Sequence, residues 1–249
     1  MDPKGKIALV TGANGGIGHA IAKALHDRGA TVRVSGRRAD ALVAVTEATN
    51  ARVTVADLAI REDVTRLTDE NMDVDILVLN AALPASGPIM DFSTDELDRA
   101  LDVNLRAPMY MARRIGEAMV ARGRGRIIAI SSISGRVAVG GTSVYSATKF
   151  GMRGFFLGMH EDVKEHGVGV TTIYPGFIRD AGMFADTGVT LPKTMGTKSP
   201  EDVARATLRA VTDAPAEIDV AAFDQRAGAF IAAIAPSLAG PVSKKFGGG

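Results

Sequence analysis

The sequence predicts an α/β fold, a parallel sheet with helices on both faces, and two observations carry that expectation. Short runs rich in Val and Ile lack polar alternation, as strands buried on both sides do. Between them lie longer stretches of helical period, so the order reads βαβα throughout. The seven expected strands are 7–11, 31–35, 52–56, 76–80, 126–131, 168–174 and 218–221. Helices fill the gaps, most clearly at 16–28, 39–49, 94–103, 108–122, 143–166 and 200–212. No Ser/Pro-rich linker, charge block or repeat of about 20 to 50 residues divides the chain, so residues 1–249 read as one domain.

Composition narrows the function classes. Hydrophobic residues at 46% and charged residues at 23% supply a core and argue against disorder. Lys plus Arg number 29 against 28 for Asp plus Glu, so no broad field attracts nucleic acid or an acidic membrane, and anion recognition must be local. The absence of cysteine excludes disulfides, a thiolate zinc site and a cysteine nucleophile, and fits a cytoplasmic protein. The four histidines form no cluster of metal-ligand spacing, so no metal is expected. The first ten residues lack the features of a secretory signal, and no apolar run reaches the roughly 18 to 20 residues of a membrane span. Within a C-terminal extension, 223–249, the uncharged stretch 227–243 is interrupted by Pro236 and Pro241 and reads as a buried or subunit-contacting helix. Segment 177–198 breaks the alternation, with Gly182, Gly188 and Gly196 among Met183, Phe184, Leu191 and Met195. It follows a strand whose C-terminal end faces the ligand crevice, and reads as a substrate lid.

Three groups of residues carry chemistry. The first strand runs into Thr11, Gly12, Ala13, Asn14, Gly15, Gly16, Ile17 and Gly18 and then into an amphipathic helix. Glycines there allow a tight turn and close approach of a pyrophosphate, and the helix start offers free N–H groups and a positive dipole end. The second strand ends at Gly36, Arg37 and Arg38, about 20 residues past the glycines, where an NAD site places an acid on the ribose. No acid stands there. Gly36 leaves room for a 2′-phosphate that the forked guanidinium of Arg37 can grip, so NADP(H) is favoured over NAD(H). Finally, Ser132, Tyr145 and Lys149 are spaced S-x12-Y-x3-K. On a helix, Tyr145 and Lys149 share a face, and an ammonium beside a phenol is expected to favour the phenolate and draw it toward neutral pH. Ser132, at a strand end, can hydrogen-bond a substrate oxygen.

The T-G-x-x-x-G-x-G turn together with the Ser, Tyr and Lys spacing resembles the short-chain dehydrogenase/reductase family, from about residue 4 to about residue 212. The resemblance implies a doubly wound (Rossmann) sheet of seven strands with the cofactor across the C-terminal strand ends. It assigns catalysis to Asn104, Ser132, Tyr145 and Lys149, with Asn104 holding a water that links Lys149 to solvent. It brings Asp57 and Leu58 to the adenine, Asn80, Ala81 and Ala82 beside the cofactor, and Pro175, Gly176 and Ile178 to the nicotinamide. Tyr145 and Lys149 count among the cofactor contacts. Asp180 stands where the family usually has a Thr that binds the carboxamide, and Leu83 where a Gly is common. The activity implied is hydride transfer between nicotinamide and a carbonyl or secondary alcohol, by a homotetramer or dimer; the residues Ile133, Val137, Val139, Met183 and Phe184 themselves point to an apolar pocket wall and a small apolar substrate. The alternatives are a non-catalytic cofactor-binding scaffold and an epimerase or dehydratase that uses the cofactor transiently.

Overall fold

The computed structural model describes residues 1–180 and 196–234. Seven strands, β1 (Ile7–Thr11), β2 (Thr31–Gly36), β3 (Arg52–Val55), β4 (Ile76–Leu79), β5 (Gly125–Ile130), β6 (Val168–Pro175) and β7 (Glu217–Val220), form one sheet in the order β3-β2-β1-β4-β5-β6-β7. Every pair is parallel. Parallel neighbours need crossovers, and helices supply them: α1 (Gly16–Asp27), α2 (Val43–Thr49), α3 (Arg61–Asp69), α4 (Thr94–Leu101), α5 (Ala107–Ala121), α6 (Ser143–Val163) and α7 (Pro200–Asp213). A further helix, α8 (Phe223–Ile234), follows β7.

Both faces of the sheet are covered, which is why the inner strands are apolar throughout. Ala8, Val10, Val34, Ile76, Val78, Ile128 and Ile173 point to one side, against Ile21 and Leu25 of α1, Val45 of α2 and Val203 and Val211 of α7. Their neighbours Leu9, Leu77, Leu79, Ile127 and Ala129 point to the other, against Leu67 of α3, Met111, Ile115 and Met119 of α5, and Met152 and Phe156 of α6. The edge strand β7 instead alternates, with Ile218 and Val220 buried and Glu217 and Asp219 only partly so.

Two segments differ from the sequence expectation. Residues 39–49 do not make one helix: a 3-10 turn, Asp40–Leu42, precedes α2. The helices expected at 94–103 and 108–122 join through a π-helical segment, Asp102–Arg106; Pro108 lies inside the joined run, where it has no amide to donate and its ring crowds the preceding turn, and the wider π turn just before it accommodates the crowding. The strand order reverses between β1 and β4, which opens a crevice at their C-terminal ends. The expected lid falls mostly on residues 181–195, Met183 and Phe184 among them, outside the described residues.

Candidate active site

All sheet partners run the same way, so the turns after β1, β4, β5 and β6 gather at one edge. The first two are tied by Thr11, which is buried at the end of β1. Its hydroxyl accepts from the Asn80 and Ala81 amides at 3.1 and 3.2 Å and donates to the Val78 carbonyl at 3.3 Å. The Asn80 carboxamide returns the contact, donating to the Thr11 and Gly12 carbonyls at 3.1 Å each. Side chains are excluded here by contact as well as by conformation. Gly12 has φ +66°, and a Cβ on it would lie 2.7 Å from Ala81 Cα; one on Gly18 would lie 2.7 Å from Asn80 Nδ2 and 2.8 Å from Ala13 Cα.

Helix α1 starts from Gly15 with no capping side chain and no acidic residue in its first turn. The amides of Gly16, Ile17 and Gly18 therefore face the crevice with the positive end of the dipole uncompensated, an arrangement suited to phosphate. Beside it, the buried Gly36 ends β2, and a Cβ there would come 3.0 Å from the Asn14 carboxamide oxygen. Arg37 is exposed and makes no hydrogen bond or ion pair among the described residues, whereas Arg38 reaches Asp40 at 3.7 Å. Asp57, just past β3, accepts from the Ala59 amide at 3.0 Å and from Arg99 at 2.8 Å, and Leu58 beside it is buried in the core.

The Ser132, Tyr145 and Lys149 side chains are gathered across the crevice. Ser132 follows β5, and its hydroxyl accepts from the Ser134 amide at 3.1 Å. The turn it opens is fastened by Arg136, which meets Glu217 at 3.2 Å and Asp219 at 2.9 Å and stacks 4.0 Å over the Tyr174 ring. Helix α6 carries Tyr145 and Lys149 one turn apart, and the ammonium lies 5.5 Å from the Tyr145 ring centroid. The ring packs with Ala85, Ala100, Val144, Phe92 and Leu97.

The downward pull that Lys149 is expected to exert on the phenol is not the leading influence in the cofactor-free structure. Burial pushes the Tyr145 phenol up to about 12, and a hydrogen bond with Ser132 only partly opposes the rise. Lys149 Nζ stands over the ring and donates to the Ile130 carbonyl at 3.2 Å, with Met152 Sδ at 3.6 Å.

Lys149 is itself 1% exposed, and burial lowers its ammonium to about 8. Three donors face one carbonyl and one thioether, so the group is under-satisfied among the described residues and has capacity for further acceptors such as ribose hydroxyls. The folded-state value lies below the unfolded one, so the charge destabilises the fold fully below pH about 8, and the cost disappears as pH rises toward the unfolded value. Lys149→Met is accordingly expected to raise the stability of the cofactor-free protein by about 3 kcal/mol at pH 7 and by little near pH 10.5, measured by denaturant unfolding at the two pH values. An equal change at both would show that packing, not charge, is responsible.

Asn104 is fully buried in the π segment, and its side chain is spent on one residue: Oδ1 accepts from the Leu83 amide at 2.7 Å and Nδ2 donates to the Leu83 carbonyl at 3.0 Å. It thus fixes the turn containing Asn80, Ala81 and Ala82, whatever its backbone holds. On β6, Pro175 ends the strand, the Gly176 amide donates to the Val220 carbonyl at 3.0 Å, and Ile178 is buried and bridged to Lys198. A Cβ on Gly176 would overlap the Gln225 carboxamide oxygen, which accepts from the Phe177 amide at 3.2 Å. Asp180 has φ +68°, and its exposed carboxylate pairs with Arg179 at 3.2 Å. An Asp tolerates that left-handed backbone where a β-branched Thr would be strained, so the substitution fits the turn.

Sequence reasoning names Thr11 only as part of the glycine motif and misses Arg99, Arg136 and Gln225. Thr11 and Asn80 are 69 residues apart, and Arg99 stands 42 residues from Asp57 on what reads as a solvated helix face.

The sequence profile described as short chain dehydrogenase matches residues 6–190. The ketoacyl reductase HetN of Nostoc sp. is 32% identical over 225 residues, covering 87% of this chain and 78% of the relative. An uncharacterized oxidoreductase of Staphylococcus aureus is 34% identical over 225 residues, covering 86% of this chain and 94% of its own. Among solved structures, a metagenomic short-chain oxidoreductase in complex with NADP superposes with TM-score 0.75 at 29% identity, covering 88% of this chain and 98% of its own. A 3-oxoacyl (acyl-carrier-protein) reductase of Agrobacterium tumefaciens C58 with NADP bound gives 0.80 at 26%, covering 88% and 95%. With a profile over most of its length and relatives above 30% identity across the same span, the chain belongs to the short-chain dehydrogenase/reductase family of oxidoreductases.

Proposed function

We propose that the protein is an NADP(H)-dependent oxidoreductase that interconverts a carbonyl and a secondary alcohol on a small apolar substrate. The observation that carries this reading is the grouping of Ser132, Tyr145 and Lys149 on the same edge as the uncapped start of α1. Gly12, Asn14, Gly15, Gly16, Ile17 and Gly18 would hold the pyrophosphate. Arg37 would take the 2′-phosphate, and Asn80, Ala81, Ala82, Pro175, Gly176 and Ile178 would flank the rest of the dinucleotide. The absence of a side chain at Gly12 and Gly18 and the spare donors of Lys149 suit such a group. Two similar structures hold NADP, which supports the same class of cofactor here.

Bound there, the nicotinamide supplies or accepts the hydride. The chain's own residues handle the oxygen. The Tyr145 phenol, protonated at neutral pH, donates its proton to a carbonyl oxygen, and the Ser132 hydroxyl donates a hydrogen bond to that oxygen and polarises it. Lys149 offers donors to the ribose hydroxyls and a positive charge under the phenol as it loses its proton. A panel of ketones, aldehydes and secondary alcohols, each with NADPH or NADP+, tests the reading through the absorbance of reduced nicotinamide. Turnover without net absorbance change would favour an epimerase or dehydratase, and none with any substrate would favour a binding protein.

A second part of the proposal is a homo-oligomer, dimer or tetramer. Between α4, α5 and α6 lies a groove of about 1290 Å³ whose lining includes Leu105, Met109, Phe155, Gly158, Met159 and Val163. Gly154 and Gly158 open onto it with nothing near a notional Cβ, leaving α6 room for close approach of a second copy. Light scattering at micromolar concentration is expected to give two or four times the chain mass; a stable species at 25.9 kDa would refute this part.

A further inference from the structure

The acid that faces the phosphate end of the site has a partner that the sequence does not announce. Gly36 and Val55 are register partners on β2 and β3, and the Ala56 amide donates to the Gly36 carbonyl at 3.0 Å. Arg37 and Asp57 therefore leave neighbouring strands side by side. Burial pushes the Asp57 carboxyl up, but the Arg99 guanidinium, the Ala59 amide and then the charge of Arg37 together hold it below the usual carboxylate range. Among the described residues, only the Arg99 guanidinium is bonded to Asp57. Asp57 Oδ2 takes Arg99 at 2.8 Å and Oδ1 takes the Ala59 amide at 3.0 Å, so both oxygens are committed away from Arg37. The other acids near this corner have their own cations: Asp63 meets Arg66 at 2.8 Å and Asp40 meets Arg38 at 3.7 Å. Arg37, beside them, has no ion partner among the described residues.

We propose that Arg99 is a positioning residue for cofactor specificity: by holding the Asp57 carboxylate toward α4, it leaves the Arg37 guanidinium free to bind a 2′-phosphate. Without Arg99, the cation that still acts on Asp57 is Arg37. The carboxylate then competes with the phosphate for that guanidinium and adds an uncompensated negative charge beside a group carrying up to two. The inference rests on the NADP(H) reading above and gives Asp57 an electrostatic part in it, separate from any contact with adenine.

The test is equilibrium binding, by titration calorimetry on the full chain, of adenosine 2′,5′-bisphosphate and of 5′-AMP, which differ in the 2′-phosphate. Arg99→Met keeps the length of the side chain without its charge. It is expected to weaken the bisphosphate about tenfold and 5′-AMP less than about twofold. The double variant Arg99→Met with Asp57→Asn, which removes the competing charge, should recover bisphosphate binding to within about threefold of the parent. Arg99→Lys should fall between parent and Arg99→Met. Equal weakening of both probes, or no recovery in the double variant, would mean that Arg99 only shapes the adenine pocket and would overturn the proposal. A parent without preference for the bisphosphate would sink the NADP(H) reading itself, whereas a parent with that preference and an unchanged Arg99→Met variant sinks this inference alone.

Discussion

Replacing Tyr145 by Phe is expected to lower kcat by about two to four orders of magnitude while NADPH affinity stays within about twofold of the parent. The change removes one oxygen and nothing else. The ring keeps its packing against Ala85, Ala100 and Val144, and Lys149 keeps the ring face over which it stands at 5.5 Å. The phenol, pushed up to about 12, is protonated and neutral at neutral pH, so in the cofactor-free protein it is poised as a proton donor rather than an acceptor. Carbonyl reduction should thus vary little in rate between about pH 6 and 8 as far as Tyr145 is concerned, while alcohol oxidation should speed up as pH rises. Single-turnover rates in both directions, with cofactor binding followed by fluorescence, check the two statements together. Near-normal reduction by the Phe variant would show that another group delivers the proton.

The parts of this fold that are legible in sequence are those in which one local cause acts. Uninterrupted apolar runs such as Ile76–Leu79 can exist only in a strand covered on both faces, and the glycine turn is followed at once by a helix whose start it forms. The spacing of Tyr145 and Lys149 likewise needs nothing beyond one helix. What sequence reasoning loses is what two distant segments decide jointly. The cation beside the phenol is visible in the sequence but the opposing burial is not, and two residues of the cluster that Tyr145 packs against, Ala85 and Ala100, are far from it in the chain. Family resemblance assigns Asn104 to a water; what it does not announce is that the side chain is committed to Leu83, 21 residues away. The same resemblance makes Asp57 an adenine contact, and its pairing with Arg99 depends on how α4 packs beside β3. The π segment between α4 and α5 escapes the sequence because Pro108 reads there as the start of a new helix, although the backbone at Leu101, Arg106 and Ala107 is already helical.

Exchanging Gly36 for Asp together with Arg37 for Ser is expected to move the ratio of kcat/KM for NADPH to that for NADH by at least about tenfold toward NADH, and by about a hundredfold if the loss reaches the upper range for a charge-assisted pair. Two opposed effects add. Without the Arg37 guanidinium there is no fork to grip a 2′-phosphate, and a carboxylate at position 36 would accept from the ribose hydroxyls while repelling the phosphate. The new side chain has room only after a small adjustment. Its Cβ would lie 3.0 Å from the Asn14 carboxamide oxygen and 3.4 Å from Leu42 Cδ2, and the backbone of Gly36 needs no left-handed conformation. The Asn14 carboxamide is the end of a side chain and can rotate away, so the variant should fold, with a modest loss of stability. Arg38 limits the effect: its bond to Asp40 is long, at 3.7 Å, and exposed, so it can turn to a phosphate in place of Arg37. A third variant with Arg38 also changed to Ser should remove that substitute and push the ratio further. A parent that already prefers NADH, or a double variant whose ratio does not move, would show that Arg37 does not read the phosphate. In that case the unpaired guanidinium beside Gly36 is only a solvated charge.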